Sequence, residues 1–341
     1  MSRPAPRFSL VGRPSQAVAR SRRPGKAAPR LALLAVAWLL SPCSVRAEGF
    51  AVVVGVNHCP NFELPDGSRP RPLKGAEHDA EAFADVLVDQ FHFPRGNVLL
   101  IRRDEATLAK LQTKMREMVK RIRVDDSFVF HFSGHGTQVA DRRPFDEADG
   151  LDEALCLYDA TAEGENLLLD DELGRWLDDV PAKSVTAILD CCHAGTGTKD
   201  LDGEIMPRYL PLVTATAKQS TAEEPWRDLR SATKSFGRST AALFACHPDQ
   251  QAYERRISVG DERIHAGQFS HYLLEGLHNK AADRDSDGVI TNEEAATYAA
   301  HRIDETFNRR RDRSTDRQQP ALESDVSNSP IFGTVKSSNS R

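Results

Sequence analysis

Short runs of consecutive apolar residues, rich in β-branched and aromatic side chains, alternate along this chain with segments of helical periodicity. The apolar runs cover residues 50–56, 98–101, 127–132 and 184–189. The helical segments cover residues 76–90, 106–123 and 170–177. Unbroken apolar runs of this length are typical of strands buried on both faces of a sheet. Because strands and helices alternate, we predict an α/β fold with a central, mostly parallel sheet and helices on both faces.

The alternation stops in the second half of the chain. Residues 205–238 are rich in Thr, Ser, Lys and Arg, and we interpret them as an exposed linker. Regular structure is predicted to resume with a strand at 239–246 and a helix around 269–277, and the last strand is predicted at 330–332. The acidic segment 141–153 is expected to be a polar loop.

The N-terminus has the parts of an export signal. A basic stretch ends at Arg30, ten apolar residues follow at 31–40, and residues 45–47 fit the small-x-small rule for cleavage before Glu48. Ten residues are too few to cross about 30 Å of hydrocarbon comfortably. We therefore predict a signal peptide and a secreted or periplasmic protein, with an uncleaved membrane anchor as the alternative.

Charge and cysteine content narrow the function classes. The net charge is −5, but residues 1–47 hold nine Lys or Arg and no acidic residue, which leaves 36 basic and 50 acidic residues, a net charge of −14, in the remainder. A protein with this negative charge repels phosphate groups, so nucleic-acid binding is disfavoured. Beyond the signal, five cysteines remain, an odd number without the spacing of a disulfide framework or a zinc site. We expect at least one free thiol.

Two of the predicted strands run into reactive side chains flanked by small residues. One strand leads into Ser133-Gly134-His135-Gly136 and the other into Asp190-Cys191-Cys192-His193-Ala194-Gly195. Active sites of open α/β sheets lie at the carboxyl ends of the strands, so His135 and the Cys191-Cys192 doublet are expected to meet. A thiol beside an imidazole is the minimum equipment for nucleophilic acyl transfer, with the imidazole as base. Backbone N–H groups at Gly136 and Cys192 are expected to stabilise the oxyanion.

At these residues the chain resembles the metacaspases and bacterial orthocaspases, a branch of the caspase-like cysteine peptidases of family C14. The similarity runs from about Phe50 to Phe332. It is carried by FSGHGTQ at 132–138, DEADGLDEAL at 146–155, LLLDDEL at 167–173, ILDCCHAGT at 188–196, LFACHPDQQAYE at 243–254 and AGQFSHYLLEGL at 266–277. In that family the nucleophile immediately precedes the histidine of a D-x-C-H-x-G motif. The resemblance therefore selects Cys192 over Cys191 and implies a caspase-like fold.

The resemblance also implies a substrate class. Metacaspase-like enzymes cleave after Arg or Lys with an acidic S1 pocket, and the matching positions here are Asp79, Ser133 and Asp190. A desolvated carboxylate pair suits a guanidinium fork and repels an acidic side chain. We expect protein or peptide substrates with a basic P1 residue. Self-cleavage of the linker is a further hypothesis, at its basic residues Lys218, Arg227, Arg230, Lys234 and Arg238.

Residues 283–294 fit the template of an EF-hand calcium loop. Its ligand positions are Asp283, Asp285, Asp287, Val289, Thr291 and Glu294, with Gly288 at the turn. EF-hands normally pair and this loop stands alone, so a polar turn between helices is the alternative. Some metacaspases bind a second, activating calcium, and the resemblance carries that site to Asp152, Asp170, Asp171 and Asp200. A solvated acidic loop is the alternative there.

These observations combine into one prediction with two alternatives. The predicted regions are a signal peptide at 1–47, a large-subunit-like catalytic region at 48–204, a linker at 205–238 and a small-subunit-like region at 239–336. The predicted function is a cysteine endopeptidase that cleaves after Arg or Lys and is influenced by Ca²⁺. The alternatives are a catalytically inactive caspase-like scaffold that binds calcium or partners, and a caspase-like peptidase specific for Asp.

Overall fold

A six-stranded sheet forms the centre of the protein. The computed structural model describes residues 46–140, 150–192, 205–212, 239–278, 280–310 and 317–333, and all of these except Arg46 belong to one compact unit, Ala47–Arg341. The strands of the described residues are β1 (Gly49–Gly55), β2 (Val98–Arg102), β3 (Ser127–Ser133), β4 (Gly136–Ala140), β5 (Leu151–Cys156), β6 (Leu167–Leu169), β7 (Ser184–Asp190), β8 (Ile205–Pro207), β9 (Ser239–Phe244), β10 (Tyr253–Val259), β11 (Glu262–Gly267) and β12 (Ala321–Ser324). The α-helices are α1 (Ala76–Asp89), α2 (Leu108–Val119), α3 (Asp170–Asp178), α4 (Gln268–His278) and α5 (Asn292–Thr306).

The central sheet is mostly parallel. Its strand order is β12-β9-β7-β3-β1-β2, and each neighbouring pair is parallel except β12, which runs antiparallel to β9. The apolar runs at 50–56, 98–101, 127–132 and 184–189 form β1, β2, β3 and β7, and the run at 239–246 forms β9. The predicted α/β fold with a mostly parallel sheet is confirmed.

Helices cover both faces of this sheet because successive side chains of a strand point to opposite faces. On β1, Val52 and Val54 belong to the buried cluster that includes side chains of α2 and α3. Ala51 and Val53 belong to a second buried cluster that includes side chains of α1, α4 and α5. A strand apolar on both faces is therefore required, and this is why the sequence shows unbroken apolar runs rather than alternation.

The predicted helices form, with shifted ends for α2. This helix begins at Leu108 rather than at 106 because the Thr107 side chain accepts a hydrogen bond from the Lys110 N–H and caps the first turn. Its last residue is Val119, four residues before the predicted end. In the described part of the chain no helix is long and apolar enough to cross a membrane.

Three predictions of local structure were wrong. Residues 151–153 do not form part of a polar loop; they begin β5, whose residues are all buried, while 141–149 lie outside the described residues. Residues 205–212 are not an exposed linker, because β8 pairs antiparallel with β10 and the side chains at 208, 210 and 212 are buried. The last strand is not at 330–332 but at Ala321–Ser324, where β12 pairs with β9.

Two small sheets frame the carboxyl end of β3 and β7. One has the order β4-β5-β6 and the other β11-β10-β8. β4 starts three residues after β3 ends, and an isolated parallel bridge joins Gly136 of β4 to Tyr209, two residues after β8. Segment 205–212 therefore crosses from one small sheet to the other, over the end of the central sheet.

Candidate active site

The predicted catalytic side chains follow directly after two neighbouring strands. In the parallel pair of β3 and β7, Ser133 lies opposite Asp190. The N–H of Gly134 donates to the carbonyl of Asp190 (3.2 Å). His135 and Cys192 each come two residues after this last pair, so both lie at the carboxyl edge of the sheet, where adjacent strand ends form a crevice.

Both side chains are buried and uncharged in this arrangement. The exposed fraction is 0% for Cys192 and 4% for His135. Burial raises the pKa of the Cys192 thiol to about 12. Burial, helped by the nearby Arg208 guanidinium, lowers the pKa of His135 to about 3. Near neutral pH the pair is therefore a thiol and a neutral imidazole, not a thiolate and an imidazolium.

The two cysteines of the doublet point to opposite faces of the sheet. Cys191 belongs to the buried cluster that includes α2 and α3, whereas Cys192 belongs to the cluster of α1, α4 and α5. None of the five cysteines of the described residues forms a disulfide, so the doublet is not a vicinal disulfide.

An acidic pocket lies beside the two strand ends. Asp79 comes from α1, Asp190 from the end of β7 and Glu254 from β10, and each carboxylate residue is at most 1% exposed. The Ser133 hydroxyl donates to Asp79 Oδ2 (3.0 Å). Burial raises the pKa of Asp79 above its ordinary value, an effect that the Arg208 guanidinium opposes. The three residues predicted for S1 thus share one pocket with a third carboxylate.

Backbone N–H groups fix these carboxylates. Gly267 donates to Asp79 Oδ2 and Ser270 donates to Asp190 Oδ2, both at 3.0 Å. Lys74 and Gly75 donate to the two oxygens of Glu254 (2.7 and 2.9 Å). A Cβ atom on Gly267 would collide with the Asp190 carboxylate and the Arg208 guanidinium. The close approach of β11 to the pocket therefore requires glycine there.

The guanidinium of Arg208 fills the pocket. Its Nη2 lies 2.6 Å from Asp79 Oδ2 and 3.5 Å from Glu254 Oε2. Its Nη1 lies 3.2 Å from Asp190 Oδ2 and donates to Ser133 Oγ (2.5 Å). The Arg208 side chain is 0% exposed. A buried cation is stabilised here because it meets three carboxylates and several acceptors at once.

The backbone of Arg208 is held as tightly as its side chain. Its carbonyl oxygen accepts from the N–H of Gly136 (2.9 Å) and from the N–H of Cys192 (3.2 Å), the two groups predicted as oxyanion donors. Its own N–H donates to the carbonyl of Ala252 (2.9 Å). The peptide bond between Arg208 and Tyr209 therefore lies at the sheet edge that carries the thiol and the imidazole.

Sequence reasoning missed two residues of this site. Glu254 is the last residue of the motif at 243–254, and its place in that motif directly after Tyr253 was the available signal. Arg208 stands alone in IMPRYLPL (205–212), an apolar stretch within a polar region. The basic residues that were predicted as self-cleavage sites lie outside the described residues: Lys218, Arg227, Arg230, Lys234 and Arg238.

The loop before α5 gathers three carboxylates. One oxygen from each of Asp283, Asp285 and Asp287 lies within 4.8 Å of the others. The N–H groups of Gly288 and Val289 donate to Asp283 and Asp287 (2.9 and 2.7 Å), which curls the loop around these side chains. The donor set, all oxygen, is the one that Ca²⁺ prefers.

Glu294, the last position of this loop, caps α5. Its Oε2 accepts from the N–H and the hydroxyl of Thr291 (3.0 and 2.9 Å), and the Thr291 hydroxyl accepts from the N–H of Glu294. These hydrogen bonds form a capping box and hold the pKa of Glu294 below its ordinary value. The carboxylate is therefore ionised, as a calcium ligand must be.

The second set of predicted calcium ligands is less compact. β5 and β6 pair with Ala154 opposite Leu169, which brings Asp152 near the start of α3 with Asp170 and Asp171. Among the described residues the loop before α5 contains the one group of three clustered oxygens, and these aspartates do not form another. The fourth predicted ligand, Asp200, lies outside the described residues.

Known proteins are similar to this chain in sequence and in fold. Residues 50–201 match the family described as metacaspase, peptidase C14 domain. Metacaspase-3 of Arabidopsis thaliana is 35% identical over 62% of this chain and 55% of its own length. Metacaspase-1A of Aspergillus oryzae is 31% identical over 43% of this chain and 34% of its own length. The chain thus spans about half or less of these relatives.

The fold has a solved counterpart. A crystal structure of a protein from Geobacter sulfurreducens matches 81% of this chain and 93% of its own chain, with a TM-score of 0.52 and 24% identity. This likeness supports the fold, which is caspase-like, and the sequence relatives identify the domain within it. Residues 50–201 are therefore similar to the metacaspase, peptidase C14 domain, and the similarity to Metacaspase-3 extends over 62% of this chain.

Proposed function

We propose that this chain is a cysteine endopeptidase that hydrolyses peptide bonds after Arg or Lys, with Cys192 as nucleophile and His135 as acid and base. One observation carries the proposal. Arg208 fills the acidic pocket while its carbonyl oxygen accepts hydrogen bonds from the N–H groups of Gly136 and Cys192. A bound P1 residue is expected to have this arrangement, with its side chain in a specificity pocket and its carbonyl in an oxyanion hole.

The proposed chemistry uses each of these groups. The Sγ atom of Cys192 attacks the carbonyl carbon of the P1 residue while His135 takes the thiol proton. The two backbone N–H groups stabilise the negative charge on the carbonyl oxygen. The C–N bond then breaks, His135 protonates the leaving amine, and a thioester remains on Cys192. Water hydrolyses the thioester, with His135 taking a proton from water and returning it to sulfur.

The pocket favours Arg over Lys and excludes acidic side chains. A guanidinium reaches the carboxylates of α1, β7 and β10 with two nitrogens at once, whereas a single ammonium reaches fewer of them. We expect this difference to be worth about 1–2 kcal/mol, or roughly tenfold in kcat/KM. An Asp side chain would add a fourth negative charge to a buried site, which argues against the Asp-specific alternative.

The test uses the Arg208→Ala chain, from which the arginine that fills the pocket has been removed. Peptides that differ only at P1 (Arg, Lys, Gln or Asp) are incubated with this chain, and kcat/KM is measured. Turnover of Arg and Lys peptides alone is expected, and an added Cys192→Ala should abolish it. Cys191→Ala is the matched control, because that thiol faces away from the site, and it should retain turnover.

Each other outcome removes one part of the proposal. Turnover that survives Cys192→Ala removes the nucleophile, and cleavage after Asp overturns the pocket. A folded protein that cleaves none of the peptides supports the inactive scaffold instead.

We also propose that loop 283–294 binds one Ca²⁺. Asp283, Asp285 and Asp287 would hold the ion together with the Val289 carbonyl and the Glu294 carboxylate, and the clustering of the three aspartates supports this. The ion would fix the turn before α5. Calorimetric titration should include a site that Asp287→Asn weakens at least tenfold. Glu293→Gln, a neighbouring acid outside the ligand positions, should leave the affinity unchanged.

A calcium site at the acidic residues of the catalytic region is a separate proposal. A Ca²⁺ bound by Asp152, Asp170, Asp171 and Asp200 would raise the stoichiometry of the same titration to two. Replacing Asp152 with Asn should then remove one site and leave the other. A stoichiometry of one that Asp152→Asn does not change would exclude this second site.

Export is proposed from the N-terminal sequence alone. Residues 1–47 would be removed to give a secreted or periplasmic protein that begins at Glu48. N-terminal sequencing of protein recovered from the extracellular or periplasmic fraction tests this. Full-length protein in the membrane fraction would favour the uncleaved anchor.

A further inference from the structure

The segment that carries Arg208 continues past the strand ends and stays buried there. Tyr209 is partly buried, Leu210 is 3% exposed, Pro211 is exposed and Leu212 is 6% exposed. The side chains that point inward are thus those at 208, 210 and 212, the alternation of an extended chain. If Arg208 is the P1 residue, Leu210 stands at P2′ and Leu212 at P4′.

We propose that the site has an apolar prime-side subsite for the second residue after the cleaved bond, and that Leu210 in this subsite makes segment 205–212 an internal, substrate-like inhibitor. The inference rests on the proposed function and extends it to substrate choice beyond P1. It also gives segment 205–212 a role that differs from that of a linker awaiting cleavage.

The backbone of the subsite comes from the first residues of β4. The N–H of Leu210 donates to the carbonyl of Gly136 (2.9 Å). The hydroxyl of Thr137 donates to the carbonyl of Leu210 (2.6 Å), and this hydrogen bond is buried. Gly136 therefore makes hydrogen bonds on both sides of the Arg208–Tyr209 peptide bond. Its N–H donates to the carbonyl of Arg208, and its carbonyl accepts from the N–H of Leu210. A substrate would add a parallel strand to β4 in the same way.

The side-chain part of the subsite is apolar. Leu210 and Leu212 belong to the same buried cluster as Val139 of β4 and Leu155 of β5. Leu155 lies opposite Gly136 in the antiparallel pair of these strands, so it stands next to the backbone that binds Leu210. Burial of one leucine side chain strengthens binding on the order of 10- to 100-fold. An acidic side chain would lose this gain and also meet a desolvation cost.

Because Leu210 holds the residues after Arg208 in place, the Arg208–Tyr209 peptide bond is expected to re-form after Cys192 has broken it. Attack by Cys192 on the Arg208 carbonyl carbon and cleavage of the C–N bond would leave a thioester on sulfur and a free amine on Tyr209. Leu210 keeps that amine next to the thioester, where it blocks water. The amine then attacks the thioester, the C–N bond re-forms and the thiol regains its proton. A peptide whose leaving half is not anchored departs, and its thioester is hydrolysed.

The first arm of the test varies the P2′ residue of the peptide and leaves the residues of the subsite unchanged. The Arg208→Ala chain is given the peptides Ile-Met-Pro-Arg-Tyr-X-Pro-Leu, with X as Leu, Ala or Asp. We expect kcat/KM to fall at least tenfold from Leu to Ala and further from Ala to Asp. Thr137→Val should lower turnover of the Leu peptide more strongly than turnover of a peptide that ends in a P1′ reporter. Equal turnover of all three peptides would overturn the inference while leaving cleavage after Arg in place.

The second arm measures inhibition in the intact chain. Leu210→Asp is compared with the wild type and with Pro211→Asp, which places the same charge on the neighbouring exposed position. Leu210→Asp should raise turnover of a short Arg peptide at least tenfold, and intact-mass analysis should find new chain ends after Arg208. Pro211→Asp should match the wild type. An unchanged rate for a folded Leu210→Asp chain would overturn the inhibitory role, whereas failure of every chain on every Arg peptide would overturn the proposed function itself.

Discussion

Removal of the Arg208 guanidinium should open the site and expose the Cys192 thiol. In the Arg208→Ala chain the carboxylates of Asp79, Asp190 and Glu254 lose the cation that all three contact at 2.6–3.5 Å. Deletion of one partner from a buried ion pair costs about 3–5 kcal/mol. The lower figure corresponds to roughly 100-fold in the equilibrium between the closed and the open segment.

Thiol alkylation measures this opening. At pH 8 a thiol with a pKa of about 12 is ionised to about one part in 10⁴. Opening restores both water access and an ordinary thiol pKa, so iodoacetamide should modify Cys192 at least 100-fold faster in Arg208→Ala than in the wild type. Mass analysis of the peptide with both cysteines reads the rate, and Cys191 is the internal control because it stays in the other cluster.

Two further variants serve as controls for the alkylation rate. Arg208→Lys keeps a cation in the pocket and should give an intermediate rate. Arg256→Ala removes an exposed arginine from β10 and should react like the wild type. If Arg208→Ala unfolds at the wild-type temperature and its Cys192 is alkylated at the wild-type rate, the ion cluster does not hold the segment closed.

Three other substitutions and one pH titration test separate parts of the structure. In the Arg208→Ala chain, Glu254→Gln should raise KM for Arg peptides about tenfold with little change in kcat, as steady-state kinetics would show, because it removes one of three charges around the P1 side chain. In the same Arg208→Ala chain, Gly267→Ala should abolish Arg-peptide binding in a fluorescence titration, since its methyl group would occupy the space of the guanidinium. Burial lowers the pKa of both His131 and His135 to about 3, so NMR should find neither ring titrating between pH 5 and 8; both stay neutral above that pKa. Phe332→Ala removes a ring packed against three other phenylalanines and should cost about 3–5 kcal/mol in urea unfolding.

The sheet and the position of the dyad could be predicted because each depends on a local pattern. Strands such as β3 and β7 are buried on both faces, so their apolar runs stand out from the surrounding sequence. The residues that follow a buried parallel strand lie at one known edge of the sheet. For His135 and Cys192 the local sequence therefore already specified a shared location.

The occupied pocket could not be predicted because it depends on distant pairings. β8 has three residues and exists through its pairing with β10, about 50 positions later in the chain. β10 itself mixes buried and exposed positions with two arginines, so no apolar run reveals it. A window wide enough to detect the polar character of 205–238 averages away the apolar stretch around Arg208. Only the folded chain brings Arg208 to Asp79, a separation of 129 residues.

The filled pocket explains why specificity must extend past P1. Three buried carboxylates without a cation would be costly, and Arg208 supplies the cation within the same chain, so the pocket can form before any substrate arrives. A substrate arginine that displaces Arg208 exchanges one guanidinium for another and gains nothing in the pocket. The internal segment is also tethered, which gives it an effective concentration on the order of millimolar. An external peptide can therefore prevail only through contacts that segment 205–212 does not itself make.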